Sequence, residues 1–528
     1  MTAPSLASVR LTPRAATMAR LLQILWIASA PLLCLLYLKQ ASSLDQLQFD
    51  YMGWMATKGQ PFYAGSFDMN WPGAMYLHEL AITVFGPRLW AWRVTDFVLM
   101  QIFALACCQF LRLCGFRLAP FVALALIAPL YVTAGGWMAG ERDIIAVGFI
   151  LSAFTALMSG PRRELWALTL AGALVACAVL IRPTYLSALV GILALELLPR
   201  RLIGKPRDRA LWLRLLSICL GFGAVIAAVV ALALRGGYLD DWYLFSVVFT
   251  SQVYAGEPAQ AVIANLVMTL ARAWHWMILC AGLGAMLWAR RGRVARYPLA
   301  LLGGLAAAIF LSYFVQNKGF TYHIAGLIYV LALLIAVGID LLATEIRPPG
   351  TGARLAQIGL FGVLALTLLG TGMKIANNWH FLRDIPAHGL RPVASLYPGA
   401  EDDIAATVAL IAANSTPEDR IVQYGTHYEI PFLAERLPAS RFITPAIELM
   451  TPQFPLYDAW LAEMSADFAR YRPKYILISQ EELQSVDGGF ASTDPGKPML
   501  KTLLAFMAQD YEIVQTNPIG TLFVRHAP

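Results

Sequence analysis

The sequence predicts a polytopic α-helical membrane protein carrying a soluble α/β domain at its carboxyl end, and three observations predict it. Hydrophobic residues make up 58% of the 528 and charged residues only 14%, with mean hydropathy +0.60, whereas soluble domains carry roughly 25% charge. The apolar residues gather in blocks of about 17 to 25, the length a helix needs to cross about 30 Å of hydrocarbon. After Trp379 the composition changes to that of an α/β domain. An ordinary soluble enzyme is excluded.

Taken in order, the blocks predict about eleven spans, near 21–38, 89–111, 118–137, 144–159, 165–181, 184–199, 211–234, 263–289, 297–316, 321–342 and 356–376. Residues 1–376 form the membrane domain and 377–528 the outer domain. The loop between the first two spans, 39–88, is long for a helix connection, and loops of that size are usually functional. Within it Phe49–Ala56 and Ala74–Phe85 are half-apolar and suit helices lying in the interface. A second segment, Arg235–Gln260, is aromatic and acidic, with Tyr238, Asp240, Asp241, Trp242 and Glu257. In the outer domain Glu401–Ala413 and Tyr457–Tyr471 read as helices. Arg420–Tyr424, Lys474–Ser479, Tyr511–Gln515 and Thr521–Arg525 read as strands, with Asp487-Gly488-Gly489 a turn-rich link.

The net charge of +7 has a topological meaning. Arg10, Arg14 and Arg20 precede the first block, and Arg112/Arg117, Arg162/Arg163, the run Arg200-Arg201-Lys205-Arg207-Arg209-Arg214, Arg290-Arg291-Arg293-Arg296 and Arg347/Arg354 occupy alternate loops. This is the positive-inside bias. It needs no nucleic-acid partner, puts the amino terminus in the cytoplasm, and with an odd number of crossings puts the last domain outside, on the periplasmic or extracellular face of the cytoplasmic (inner) membrane. The stretch up to Arg20 lacks acids and no small-residue cleavage site follows the first block, so an uncleaved anchor is expected. All seven cysteines fall in or next to apolar blocks and imply neither a disulfide framework nor a thiolate metal site. No Walker-type loop occurs, which speaks against an ATP-driven pump.

The stretch Leu44-Asp45-Gln46-Leu47-Gln48-Phe49-Asp50-Tyr51 is followed by Gly59, Pro61, Tyr63, Phe67-Asp68-Met69-Asn70-Trp71-Pro72-Gly73 and Tyr76. It resembles the first outer loop of the GT-C superfamily of integral-membrane glycosyltransferases, the group that includes protein O-mannosyltransferases and lipid A aminoarabinose transferases. In those proteins an acid just beyond the first span is followed by an aromatic residue, a Gly about fourteen residues on, a Tyr and a Pro-Pro. Asp45 and Gly59 keep that spacing, with Asp50 as the competing acid. Arg182-Pro183, Tyr322-His323, Pro417-Glu418-Asp419-Arg420 and Arg472-Pro473-Lys474-Tyr475-Ile476 also fit. Gln46 stands in place of a second acid, and Asn70-Trp71-Pro72-Gly73 in place of Lys-Pro-Pro. The resemblance is dense over roughly the first hundred residues and patchy beyond.

The resemblance implies an inverting transferase that moves a sugar from a polyprenyl-phosphate carrier to a lipid, glycan or protein acceptor. Its chemistry accounts for the residue types. A sugar hydroxyl is a poor nucleophile until a carboxylate such as Asp45 or Asp50 takes its proton. The departing lipid phosphate needs cations or dipoles, for which Arg142, Arg182, Lys318, His323 and Tyr322 are candidates, with Glu141 and Asp68 as further contacts to donor phosphate or sugar. No motif calls for a cofactor, and a divalent metal at the acids remains open. Plain alternatives stand beside each assignment. Asp45 and Asp50 could be solvated interface acids, Glu141-Arg142-Asp143 a self-neutralising cluster, and Arg182 a snorkelling cation. The aromatics Trp54, Tyr63, Trp71 and Tyr76 could stack on a sugar, but most of them suit an interfacial belt. The rival activities are a polymerase or ligase drawing oligosaccharide from a lipid pyrophosphate, and a lipid or sugar transporter, although the inverted repeats common in transporters are not evident.

Overall fold

The computed structural model describes residues 13–159, 164–199, 202, 210–254, 258–344, 351–390, 399–483, 497–508 and 510–526. Arg10, Arg162/Arg163, the run from Arg200 to Arg209, Glu257, Arg347 and Asp487-Gly488-Gly489 lie outside the described residues. The chain forms two compact units. The first comprises Met1–Lys39, Val94–Val229 and Gly256–Leu390, and the second Gln40–Arg93, Val230–Ala255 and Arg391–Pro528.

The helices begin, in chain order, with α1 (Pro13–Leu38), α2 (Leu44–Thr57), α3 (Gly73–Phe85), α4 (Leu89–Leu113), α5 (Ala119–Val132), α6 (Arg142–Leu157), α7 (Glu164–Ile181) and α8 (Leu186–Leu197). Leu211–Gly236, Ala259–Thr269, His275–Ala289, Arg293–Gln316, Leu327–Thr344 and Thr351–Asn377 follow. Each apolar block expected to span is helical over most of its length, the block 118–137 only to Val132. Among the described residues six helical stretches are long and apolar enough to cross a membrane: Ala16–Leu38, Leu89–Leu113, Glu164–Ile181, Leu211–Gly236, Arg293–Gln316 and Thr321–Ala343. The block near 263–289 is interrupted by a π stretch at Leu270–Trp274.

Lipid supplies no hydrophobic drive between helices, so the first unit packs through small residues and polar bonds. A Cβ on Gly172 of α7 would stand 1.9 Å from Ile218 O, and one on Gly221 1.8 Å from Thr169 O, so the two backbones touch at reciprocal glycines. Buried acids are bonded within this unit. One oxygen of Asp340 accepts the backbone N–H groups of Arg117, Leu118 and Ala119 at 2.8, 2.7 and 2.9 Å, capping α5 from another helix. Asp96 accepts the hydroxyls of Tyr37 and Tyr131 at 2.5 and 2.7 Å. Arg214 donates to Glu164 and, at 2.8 Å, to Glu196, which also takes the Tyr297 hydroxyl at 2.6 Å.

In the second unit a four-stranded sheet has the order β1-β2-β4-β3, with β1 (Ile421–Tyr424), β2 (Tyr475–Ser479), β3 (Tyr511–Asn517) and β4 (Gly520–Arg525). β1 and β2 are parallel, Ile421 opposite Tyr475, whereas β4 is antiparallel to both β2 and β3. β1 and β2 are buried throughout, as apolar strands covered on both faces should be. The expected helices are found at Glu401–Ala413 and Tyr457–Tyr471. Phe67 of the long loop meets Phe245, Phe249, Trp460 and Phe442 at ring-centroid distances of 4.7, 5.0, 5.5 and 6.0 Å. Three stretches distant in sequence thus share one aromatic core.

Two interface expectations are corrected. α2 is buried on every side from Gln46 to Met55, because α3 and Glu429–Ala434 both pack on it, so it is not a one-sided helix lying in lipid. Trp54 and Tyr63 are 2% and 0% exposed, and they stack within the unit on Tyr51 and Trp242 rather than forming a belt.

Candidate functional site

In the second unit, α2 starts at Ser43, whose extended backbone and Oγ cap the helix by accepting Gln46 N–H at 3.2 Å. Asp45 falls in the first turn, where the helix dipole favours a negative charge, and it is half-buried. Behind it, Asp68 accepts Gln48 Nε2 and its own loop's Asn70 N–H, both at 2.5 Å. That loop is fixed further by Tyr63, which adopts φ 64° and donates its hydroxyl to Asn70 O at 2.7 Å.

Asp50, in the middle of the same helix, is 0% exposed, with Oδ1 2.7 Å from His78 Nδ1 on α3. The His78 ring lies on Trp92, centroids 3.7 Å apart. Burial pushes the Asp50 carboxyl above its ordinary value, while His78 and Arg93 pull the other way. α2 and α3 approach this closely because residue 53 is glycine, where a Cβ would stand 2.8 Å from Glu79 N.

The segment after β1 completes this side. His427 Nδ1 is 2.9 Å from Glu429 Oε1, and Thr426 Oγ1 donates to Glu481 Oε1 at 2.9 Å. Burial raises the Tyr428 phenol, a hydrogen bond with Thr444 lowers it, and the charges of Asp68 and Asp45 raise it again. Tyr428 therefore lies within electrostatic reach of both acids.

In the first unit, Arg142 and Asp143 open α6 behind Glu141, and Arg182 precedes the 3₁₀ turn Pro183–Tyr185. Arg182 donates through Nε at 3.0 Å, and through Nη2, to one oxygen of Asp143. Glu141, Arg142, Asp143, Arg182, Tyr185 and His323 are at most 8% exposed. Asp143 Oδ1, Tyr185 Oη and His323 Nδ1 have no hydrogen-bond partner among the described residues. His323 lies within electrostatic reach of Arg182 and Arg142, and Tyr322 meets it edge-on at 4.6 Å. Half-buried Lys318 sits in the turn before, between Asn317 at φ 49° and Gly319 at φ 70°. Among the described residues no three or more of His, Cys, Asp and Glu come together as a metal ion would need.

No protein-family profile matches the sequence, and no curated protein matches it. Solved structures do. ArnT from Cupriavidus metallidurans bound to undecaprenyl phosphate superposes with a TM-score of 0.57 at 15% identity, over 98% of this chain and 99% of that one. Its apo state gives 0.57 at 13% identity, over 95% and 97%. The archaeal oligosaccharyltransferase AglB from Archaeoglobus fulgidus, in complex with an inhibitory peptide and a dolichol-phosphate, gives 0.50 at 13% identity, over 88% of this chain and 70% of that one. This chain shares its fold with these proteins.

Within this fold the predicted residues fall into two groups. Asp45, Asp50 and Asp68 belong to the second unit, and Glu141, Arg142, Arg182, Lys318, Tyr322 and His323 to the first. Asp143, which the sequence offers only as part of a self-neutralising cluster, is the residue that anchors Arg182. His78 was missed because nothing in the sequence pairs it with Asp50. Thr426, His427 and Glu429 were missed because a Thr-His-Tyr-Glu run after a strand has no motif, although placement at a strand's carboxyl end is itself a signal in α/β sheets.

Proposed function

We propose that this chain is an inverting glycosyltransferase, which moves a sugar from a polyprenyl-phosphate carrier to an acceptor on the outer face of the cytoplasmic membrane. The observation that carries this reading is a half-buried acid, Asp45, at the capped start of a helix in a fold shared over nearly the whole chain with a protein bound to undecaprenyl phosphate. Asp45 acts as the base. It takes the proton of the acceptor hydroxyl as that oxygen attacks the anomeric carbon, the bond from that carbon to the phosphate oxygen breaks, and polyprenyl phosphate leaves. One displacement inverts the centre.

Asp50 is given a different task, because its carboxylate is buried against His78. It holds α2 to α3. Asp68 acts through Gln48, fixing the face of α2 that carries Asp45. The phosphate is assigned to Arg142, His323, Tyr322 and Lys318, with Arg182 half neutralised by Asp143 and Glu141 a further contact to donor phosphate or sugar. Buried dipoles and charges held in place before reaction stabilise a developing phosphate without reorganising. The eleven spans, cytoplasmic amino terminus and outer carboxyl domain belong to this reading. Likeness to an oligosaccharyltransferase supports a second one, transfer of a longer glycan from a pyrophosphate carrier. Purified protein given labelled polyprenyl-phosphate sugar together with an envelope lipid and glycan extract as acceptor should release polyprenyl phosphate as label moves to the acceptor, and the second reading takes over if only the pyrophosphate donor reacts. Failure of Asp45→Asn to slow release would remove the assignment of the base.

A further inference from the structure

β1 and β2 are the parallel pair of the sheet, and open α/β sheets take ligands just beyond the carboxyl ends of such strands. β1 ends at Tyr424 and β2 at Ser479. Gly425 follows β1 with φ 123°, and a Cβ there would stand 1.8 Å from Ser479 Oγ, so only glycine lets the two ends meet. Thr426 and Glu481, both half-buried, bridge the two segments with a 2.9 Å hydrogen bond and remain reachable from outside. Beneath them the polar groups are not all satisfied. Glu429 gives one oxygen to His427, while Oε2 has no hydrogen-bond partner on a residue 5% exposed. Ser479 Oγ, on a residue 0% exposed, has none either among the described residues. A buried polar atom left in this state costs about 1–3 kcal/mol, so two at one pair of strand ends point to a bound group that completes them.

The donor set selects that group. Two carboxylates and two hydroxyls offer acceptors in excess, which hydroxyl-rich molecules satisfy, and two negative charges beside a single imidazole disfavour phosphate or carboxylate. We propose that the carboxyl ends of β1 and β2 bind a neutral, hydroxyl-rich saccharide, using Thr426, Glu429, Ser479 and Glu481. Naming this saccharide as part of the acceptor rests on the transferase reading. Tyr428, within the same segment, lies in electrostatic reach of Asp45.

The test uses the full-length protein in lipid nanodiscs and saturation-transfer NMR. The probes are neutral trisaccharides of glucose, galactose, mannose and N-acetylglucosamine, each with its 6-phosphate form. At least one neutral trisaccharide should bind, its phosphate form about tenfold more weakly, a difference of about 1.4 kcal/mol. Thr426→Val and Glu481→Gln should each weaken binding by about tenfold, while Thr426→Ser, which keeps the hydroxyl, retains it. The proposal is overturned if no neutral trisaccharide binds the wild type, if Thr426→Val binds as well as wild type, or if the phosphate forms bind more tightly. Undecaprenyl phosphate binding on the same samples reports separately on the transferase reading. Loss of lipid binding with saccharide binding intact removes the transferase reading and leaves this site standing.

Discussion

The first turn of α2 and its middle carry the same residue type in opposite surroundings. Asp45 is half-buried at a capped helix start, whereas Asp50 is fully buried against His78. At 100° per residue the two carboxylates point about 140° apart. What sorts them is α3: the glycine at position 53 lets its backbone close over one face of α2, and the acid on that face becomes a tie between helices. A charged side chain on a loop helix is therefore a candidate for chemistry only after its packing is known.

The widest break in this comparison comes from Asp45→Asn. Loss of a general base lowers rates by about 10²–10⁴-fold. Transfer should fall by that amount, with thermal unfolding in detergent unchanged. Asp50→Asn should do the reverse, lowering stability by about 1.5–3 kcal/mol, the contribution of a hydrogen bond to a charged group, while kcat measured on the folded fraction stays within a few-fold. If the two variants exchange phenotypes, the roles assigned here are exchanged as well.

The same sorting explains what the sequence disclosed and what it withheld. Helices were legible because twenty apolar residues in a row have one use in a bilayer, and the outer helices at 401–413 and 457–471 because their periodicity is local. The role of a buried charge was not, because it depends on partners far away in the chain. Asp340 sits in an apolar block with no partner near it in sequence, and its oxygen caps α5 more than two hundred residues earlier. Asp143 looks like one member of a self-neutralising cluster, yet it binds Arg182 through one oxygen and leaves the other without a hydrogen bond among the described residues. The long loop's aromatic residues suggested a belt because belts are common at that depth. Their true partners, such as Trp242 for Tyr63, are supplied by chain nearly two hundred residues on.

In the first unit the contrast is sharpened by Arg142→Gln set against Asp340→Asn. Arg142 lies beside Asp143 at the start of α6 and is assigned to the phosphate, so its loss should raise the KM for the lipid-linked donor by about tenfold, about the worth of one charge-assisted hydrogen bond to that phosphate, with unfolding little changed. Asp340 accepts three backbone amides. Its substitution should lower the unfolding temperature and leave the donor KM where it was. A donor KM that rises in Asp340→Asn would show that a satisfied acid also serves the site.

The smallest effect is expected from pH. Burial disfavours charge on His427, but its hydrogen bond and charge interaction with Glu429, together with Glu481, outweigh burial and raise it above the ordinary value. A folded-state value above the unfolded one means that the charged ring stabilises the fold. That stability is fully present below about pH 6.5, the unfolded value, and is lost as pH rises through the higher folded one. The unfolding temperature of the full-length protein should therefore decline across this interval. In His427→Gln, which cannot titrate, the decline should flatten. Should the wild type instead gain stability as pH rises there, His427 enters the fold uncharged, and the pair with Glu429 is a neutral hydrogen bond in place of an ionic one.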